Sequence, residues 1–324
     1  MHPAYSVIFF TSFSGLGYGL LILLGIIGPA GLIQPARGFG LAAFGLAFTT
    51  VTAGLLASTF HLGHPERAWR AFSQWRTSWL SREGVVAVAT YVPTGLFALG
   101  WVLWGQNGGL WGIAGMVGAL CAALTVAATG MIYASLPTIA AWNNRWVVPA
   151  YLALSLATGS LWLAALSRAF GIDGPAVTHL PVALLILAWI VKVAYWAHMD
   201  GAPATSTAQT ATGLGATGPG EDDQPVRLLA SPHTQENFVM REMGFRIARK
   251  HALKLRRTAQ GLGFFLPLVA TQLLMFLSQA PSIVAILIAF AGAVSCTAGV
   301  LIERWLFFAE ARHVVMLYYG GDER

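Results

Sequence analysis

Apolar residues run along this chain in long unbroken stretches, and charge is confined to the gaps between them. No Asp, Glu, Lys or Arg occurs from Met1 to Ala36, and the apolar run there, from about Tyr5 to Ile33, is long enough to cross a bilayer. Gly38 to Phe60 is a second such stretch and ends at His61. Gly84 to Asn144 carries no formal charge over 61 residues, which is room for two spans. Gly105-Gln-Asn-Gly-Gly109 divides that run, and Leu136-Pro137 is the exit from its second half. Trp146 to Ser167 and Leu180 to about His198 predict a fifth and a sixth span. Thr258 to Ile302 again lacks charge for 45 residues and is split by Ser278-Gln-Ala-Pro-Ser282 into a seventh and an eighth. Barrel strands would show short alternating segments instead of continuous runs. The pattern therefore predicts an all-α integral membrane protein, a bundle of eight transmembrane helices. Helices one to six occupy 1–199, a loop 200–257, helices seven and eight 258–310, and a tail 311–324.

Composition agrees with that pattern. The chain of 324 residues is 56% hydrophobic and 10% charged, whereas soluble domains carry about a quarter charged residues. Lipid is the solvent that such a surface suits. Cys121 and Cys296 both lie inside apolar runs, which argues against a disulfide framework, and no CxxC marks a metal or cluster. The first Lys or Arg is Arg37, so no positive region precedes the first run and no cleavable signal peptide is expected.

The distribution of charge sets an orientation. With eight spans, both termini and the even loops share one side. That side holds 16 of the 19 basic residues, among them Arg67, Arg70, Arg76 and Arg82 in the second loop. The odd loops hold only Arg37 and Arg168, and Lys192 lies within span six. The positive-inside rule then places both termini in the cytoplasm, in a multi-pass protein of the cell inner membrane. The net charge of +6 thus belongs to topology and calls for no nucleic acid. Within the long loop, Gly201 to Gly220 is Ala, Thr and Gly and reads as a disordered linker. From Glu236 to Arg257, Val239, Met243 and Ile247 recur every fourth residue among Arg and Lys, which predicts an amphipathic basic helix. Such a helix suits the membrane lipid surface, a partner protein, or both.

Ionisable residues inside a membrane are functional candidates because their burial is costly. Here they gather in one layer on the positive side: His61, His64, Glu66 and Arg67 beyond span two, Glu83 opening span three, His198 ending span six, and Glu303 and Arg304 late in span eight. Trp69, Trp75, Trp79 and Tyr91 lie near them. The layer suits a quinone, whose ring needs an apolar slot, whose carbonyls need donors, and whose reduction takes up two protons. Histidine titrates in the right range for that chemistry. The quinone-binding candidates are His61, His64, Arg67, Glu83, Tyr91 and Arg304; Arg70, Arg76, Arg241 and Arg246 are candidates for docking a partner. Each has a plainer reading. Aromatic residues line any membrane interface, arginines fix topology, a histidine can cap a helix end, and Glu83 and Arg304 can pair with each other. A transporter or a b-type cytochrome, with His61 and His198 as axial ligands, are the alternatives from other classes.

His61-Leu-Gly-His-Pro65-Glu-Arg67-Ala, followed after nine residues by Ser78-Trp-Leu80-Ser81-Arg-Glu83, resembles the pattern HLGxPxRA…SxLSxE of the DmsC family without a gap. These are membrane anchors of dimethyl sulfoxide reductase and related molybdoenzymes. The opening stretch His2 to Phe10 and the segment Asn237 to Phe245 are most similar to the sulfite-oxidising branch of that family. The resemblance implies an anchor with no haem or cluster of its own. It would exchange electrons between ubiquinone or menaquinone and an iron–sulfur subunit, itself coupled to a molybdopterin catalytic subunit. It also implicates His61 in the quinone chemistry. The long sixth loop departs from the dimethyl sulfoxide reductase anchors.

Overall fold

A computed structural model describes residues 3–60, 62–202, 206–214, 226, 229–230, 234–244, 247–276 and 283–319, with side chains from 251 onward in the helix that starts at Ile247. Among these residues there is no strand, and eight helices are long and apolar enough to span a membrane. They are α1 (Tyr5–Ile27), α2 (Arg37–Thr59), α3 (Trp79–Trp104), α4 (Gly109–Ala134), α5 (Val147–Ala169), α6 (Leu180–Gly201), α7 (His251–Phe276) and α8 (Ile283–Ala309).

The helix ends follow local chemistry. Gly105 ends α3 at φ 66°, a left-handed position that a glycine adopts without strain. The polar segment after it is anchored where Asn107 Nδ2 donates to the Ile33 carbonyl at 2.9 Å. Trp101 Nε1 donates to the Ala36 carbonyl at 3.2 Å, so the first and third loops are joined from two sides.

Two helix starts differ from the sequence expectation, each where a charge finds a partner, while the end of α8 lies within one residue of it. α3 begins at Trp79 and not near Gly84: Arg82 lies over the Trp79 ring at 4.3 Å and donates to the Trp75 and Arg76 carbonyls, while Glu83 turns inward. α8 continues through Glu303 and Arg304 to Ala309, with both charged side chains buried. The Glu236–Arg257 stretch, expected as one amphipathic helix, comprises a short helix, Phe238–Met243, capped by Asn237, and a second that starts at Ile247 and runs on into α7. Arg256 makes this continuation possible, because Asp200 and Glu310 both bind it. Within the 201–220 linker the described part includes a short helix, Ala208–Thr212.

α1 is the hub. It packs against α2, α4, α5 and α8 and is buried around nearly its whole circumference. Small residues permit this. A Cβ on Gly19 would collide with the Ser155 carbonyl of α5, and one on Gly159 of α5 would collide with the Gly19 backbone. Close backbone approach of this kind replaces the hydrophobic drive that is missing between helices in lipid. α5 in turn carries α6 and α8 on its other side. α7 packs along α8, with a π turn, Gly261–Phe265, where Gly263 meets Gly299.

Candidate functional site

The second loop is a 3₁₀ helix, Pro65–Gln74, held against the start of α3. Ser81 donates to the Ala71 carbonyl, and the Phe72 ring lies where a side chain at Gly84 would stand. The serine and the residue after Glu83 in the SxLSxE stretch therefore fix the loop to the helix. His61 falls outside the described residues, as does Arg246. His64 and Arg67 are exposed and face Glu66, at 3.0 Å from Nδ1 and 3.7 Å from Nε. Arg70 and Arg76 lie over their neighbouring rings Trp69 and Trp75, at 5.6 Å in each case, and present an aromatic and basic face to the outside. Arg241 is exposed on the Phe238–Met243 helix.

Behind this loop the bundle contains a seam of hydroxyl groups around one carboxylate. Glu83, on the first turns of α3, is 4% exposed and accepts a hydrogen bond from Thr129 of α4. Two turns along, Thr90 and Thr125 lie 3.3 Å apart across the same helix pair. Tyr91 stacks on Phe48 of α2 and shares a 2.7 Å hydrogen bond with Thr52, on the lipid-facing side of α2 and α3. Tyr18 of α1 lies within electrostatic reach of both Tyr91 and Glu83. Its buried hydroxyl faces the Thr125 side chain. The seam brings together an aromatic ring, the hydroxyl groups of Tyr18, Tyr91 and Thr52, and a buried carboxylate.

Arg304 does not pair with Glu83. Its Nε lies 3.6 Å from Glu303, and its guanidinium lies 3.6 Å from the centre of the Tyr151 ring. Tyr151 stacks on Tyr133 at 5.9 Å, and both phenols lie within electrostatic reach of Arg304 and of Glu83. The two charges that the sequence suggested might meet therefore have separate partners, Thr129 for Glu83 and Glu303 with the Tyr151 ring for Arg304. The arginine is held instead by a carboxylate next to it in the chain, which in turn contacts Lys192 of α6. Lys192, Thr129, Tyr18, Tyr133 and Tyr151 were not among the site candidates. Only Lys192 left a signal, as a lone cation inside an apolar span, which requires a buried anion from another helix. His198 lies exposed at the end of α6. No group of three or more His, Cys, Asp and Glu side chains able to hold a metal occurs among the described residues.

Residues 1–310 match the family described as DMSO reductase anchor subunit (DmsC). The chain is also 35% identical to a sulfite dehydrogenase subunit of Allochromatium vinosum, over 98% of this chain and 99% of that protein. Coverage from end to end, with the eight spans and the buried carboxylate of the SxLSxE stretch, makes this chain a member of the DmsC family of membrane anchor subunits of molybdopterin oxidoreductases.

Proposed function

We propose that the chain passes electrons between an iron–sulfur partner subunit and membrane quinone, at a site formed by His61 and the seam around Glu83. The observation that carries this reading is the buried Glu83 carboxylate among hydroxyl groups, directly behind the His61–Glu83 motif. The name of the Allochromatium vinosum relative supports sulfite as the electron donor of the complex. Electrons would pass from sulfite through a molybdopterin subunit and iron–sulfur clusters to quinone. The excess of basic residues on the even loops supports docking of these subunits on the cytoplasmic face of the inner membrane, over Arg70, Arg76 and Arg241.

The chain's own residues have separable tasks. Tyr91 and Thr52 orient a carbonyl at the lipid-facing mouth, and Phe48 bounds the ring. Tyr18 adds a hydroxyl beside Thr125 from the α1 side. Glu83 delivers a proton from within, held in place by Thr129. His61 supplies a group that titrates near neutral pH at the partner side.

The test is sulfite-dependent reduction of a quinone analogue by membranes containing the assembled complex. His61→Ala and Glu83→Gln should each lower that rate by about a hundredfold, the scale of lost acid–base assistance, while the partner that oxidises sulfite still does so with an artificial acceptor. Full quinone reduction by both variants would sink the site. The family's description admits the reverse flow, in which a reduced quinone is oxidised as dimethyl sulfoxide is reduced. That activity in place of sulfite oxidation would keep the anchor and reverse the direction.

A further inference from the structure

Lys192 and Glu303 have no task in the site just described, yet they form a fully buried ion pair. The ammonium on α6 and the carboxylate on α8 are in direct contact, with side chains 1% and 2% exposed. Both helices pack on α5, and the pair bridges them across the interior. A tie between helices could equally be apolar, so two costly charges here call for a further account.

The surroundings extend the pair in both directions. Toward the membrane face, Asp200 lies two turns beyond Lys192 on α6, and Glu310 lies two turns beyond Glu303, just past the end of α8. Arg256 of α7 joins them: its Nη1 is 2.6 Å from Asp200 and its Nε 2.9 Å from Glu310. The Asp200 side chain is 57% exposed, so this cluster reaches water. Burial pushes the Glu310 carboxyl above the usual carboxylate range, against the pull of Arg256, which suits a group that takes up protons. Glu310 and Arg304 are both within electrostatic reach of Lys192. Toward the interior the order is Glu303, Arg304, Tyr151 and Tyr133, with Glu83 acting electrostatically on both phenols. The Tyr151 hydroxyl faces the Arg304 side chain, so phenol and guanidinium are adjacent along this stretch.

We propose that Lys192 and Glu303 are a proton relay from the Asp200–Arg256–Glu310 face to Glu83. The proposal rests on the quinone reading above. Each turnover delivers two electrons from the iron–sulfur partner, and quinone becomes quinol by taking up two protons. The Lys192 ammonium gives its proton to the Glu303 carboxylate, leaving a neutral amine and acid. Glu303 passes that proton to the Tyr151 hydroxyl as Tyr151 releases its own toward Tyr133, and Tyr133 does the same toward Glu83. The Lys192 amine regains a proton from Glu310, and Glu310 from water, which restores every group. Arg304 stays charged throughout and is a positioning residue that holds Glu303.

The whole complex, purified with its partner subunits, tests this by two assays: sulfite to a water-soluble acceptor that bypasses the membrane subunit, and sulfite to a quinone analogue. The double variant Lys192→Met/Glu303→Met keeps an apolar tie and removes the relay. It should retain the first activity, lose at least about tenfold in the second, and show a larger solvent deuterium isotope effect on the remainder. An assembled double variant that reduces quinone at the wild-type rate overturns the relay and leaves a structural tie. Should that variant not assemble, Glu303→Asp takes its place: the relay requires a slower quinone rate with a raised isotope effect, and an unchanged rate and isotope effect refute it. Wild-type complex that oxidises sulfite with the soluble acceptor but reduces no quinone refutes the quinone reading itself, a separate result.

Discussion

At His313 a backbone amide and a proton compete for one lone pair. Nδ1 accepts the Val315 N–H at 3.0 Å at the start of the 3₁₀ turn Val314–Tyr319, and burial lowers the affinity of the imidazole for a proton. The unfolded residue protonates first, at about pH 6.5, so the stability this contact contributes is present above that pH and is lost as pH falls below it. Amides of residues 314–319 should therefore exchange faster, after correction for intrinsic rate, at about pH 5.5 than at about pH 7.5. His313→Asn, which can accept the same bond without titrating, should remove the difference; a difference that survives in the variant refutes the assignment. What the sequence made legible at this scale were single charges out of place. Glu83 and Arg304 stood out because they lie in apolar runs. Their partners did not, since spacing along one helix carries no information about which other helix it faces. Tyr133 and Tyr151 were indistinguishable from ordinary interfacial aromatics until their contacts with Arg304 and each other were known.

At the scale of helices, close packing is concentrated at a few glycines. Gly19→Leu would force α1 away from Ser155, and overpacking of this kind costs about 1–3 kcal/mol or more. The solubilised protein should melt at a clearly lower temperature. Gly45→Leu on α2, where a new side chain meets open space, should melt like wild type; equal melting of both variants would show that the α1–α5 contact does not limit stability. The number of helices was readable from run length, and the break after α3 from its glycines. The starts of α3 and α7 were not, because a charge usually ends an apolar span. Arg82 and Arg256 are exceptions whose compensating partners run length does not reveal: Trp79 with two loop carbonyls, and Asp200 with Glu310.

At the scale of the molecule, eight spans put the second loop and the third loop on opposite faces. Single cysteines at Ser73 and Asn107, in a background lacking Cys121 and Cys296, should react with a membrane-impermeant maleimide from opposite sides. By the positive-inside rule Ser73 should be reached only in inside-out vesicles. Labelling of Ser73 in intact cells would reverse the orientation and move the partner subunits with it. The central place of α1 also bears on how the bundle is made. It is made before α5 and α8, yet both are among its neighbours. During synthesis α1 must first rest in lipid with its glycine surface uncovered, then be enclosed as each later helix arrives. Assembly is thus a progressive transfer of α1 from bilayer to protein interior, and its enclosure waits for α8, which brings Glu303 and Arg304.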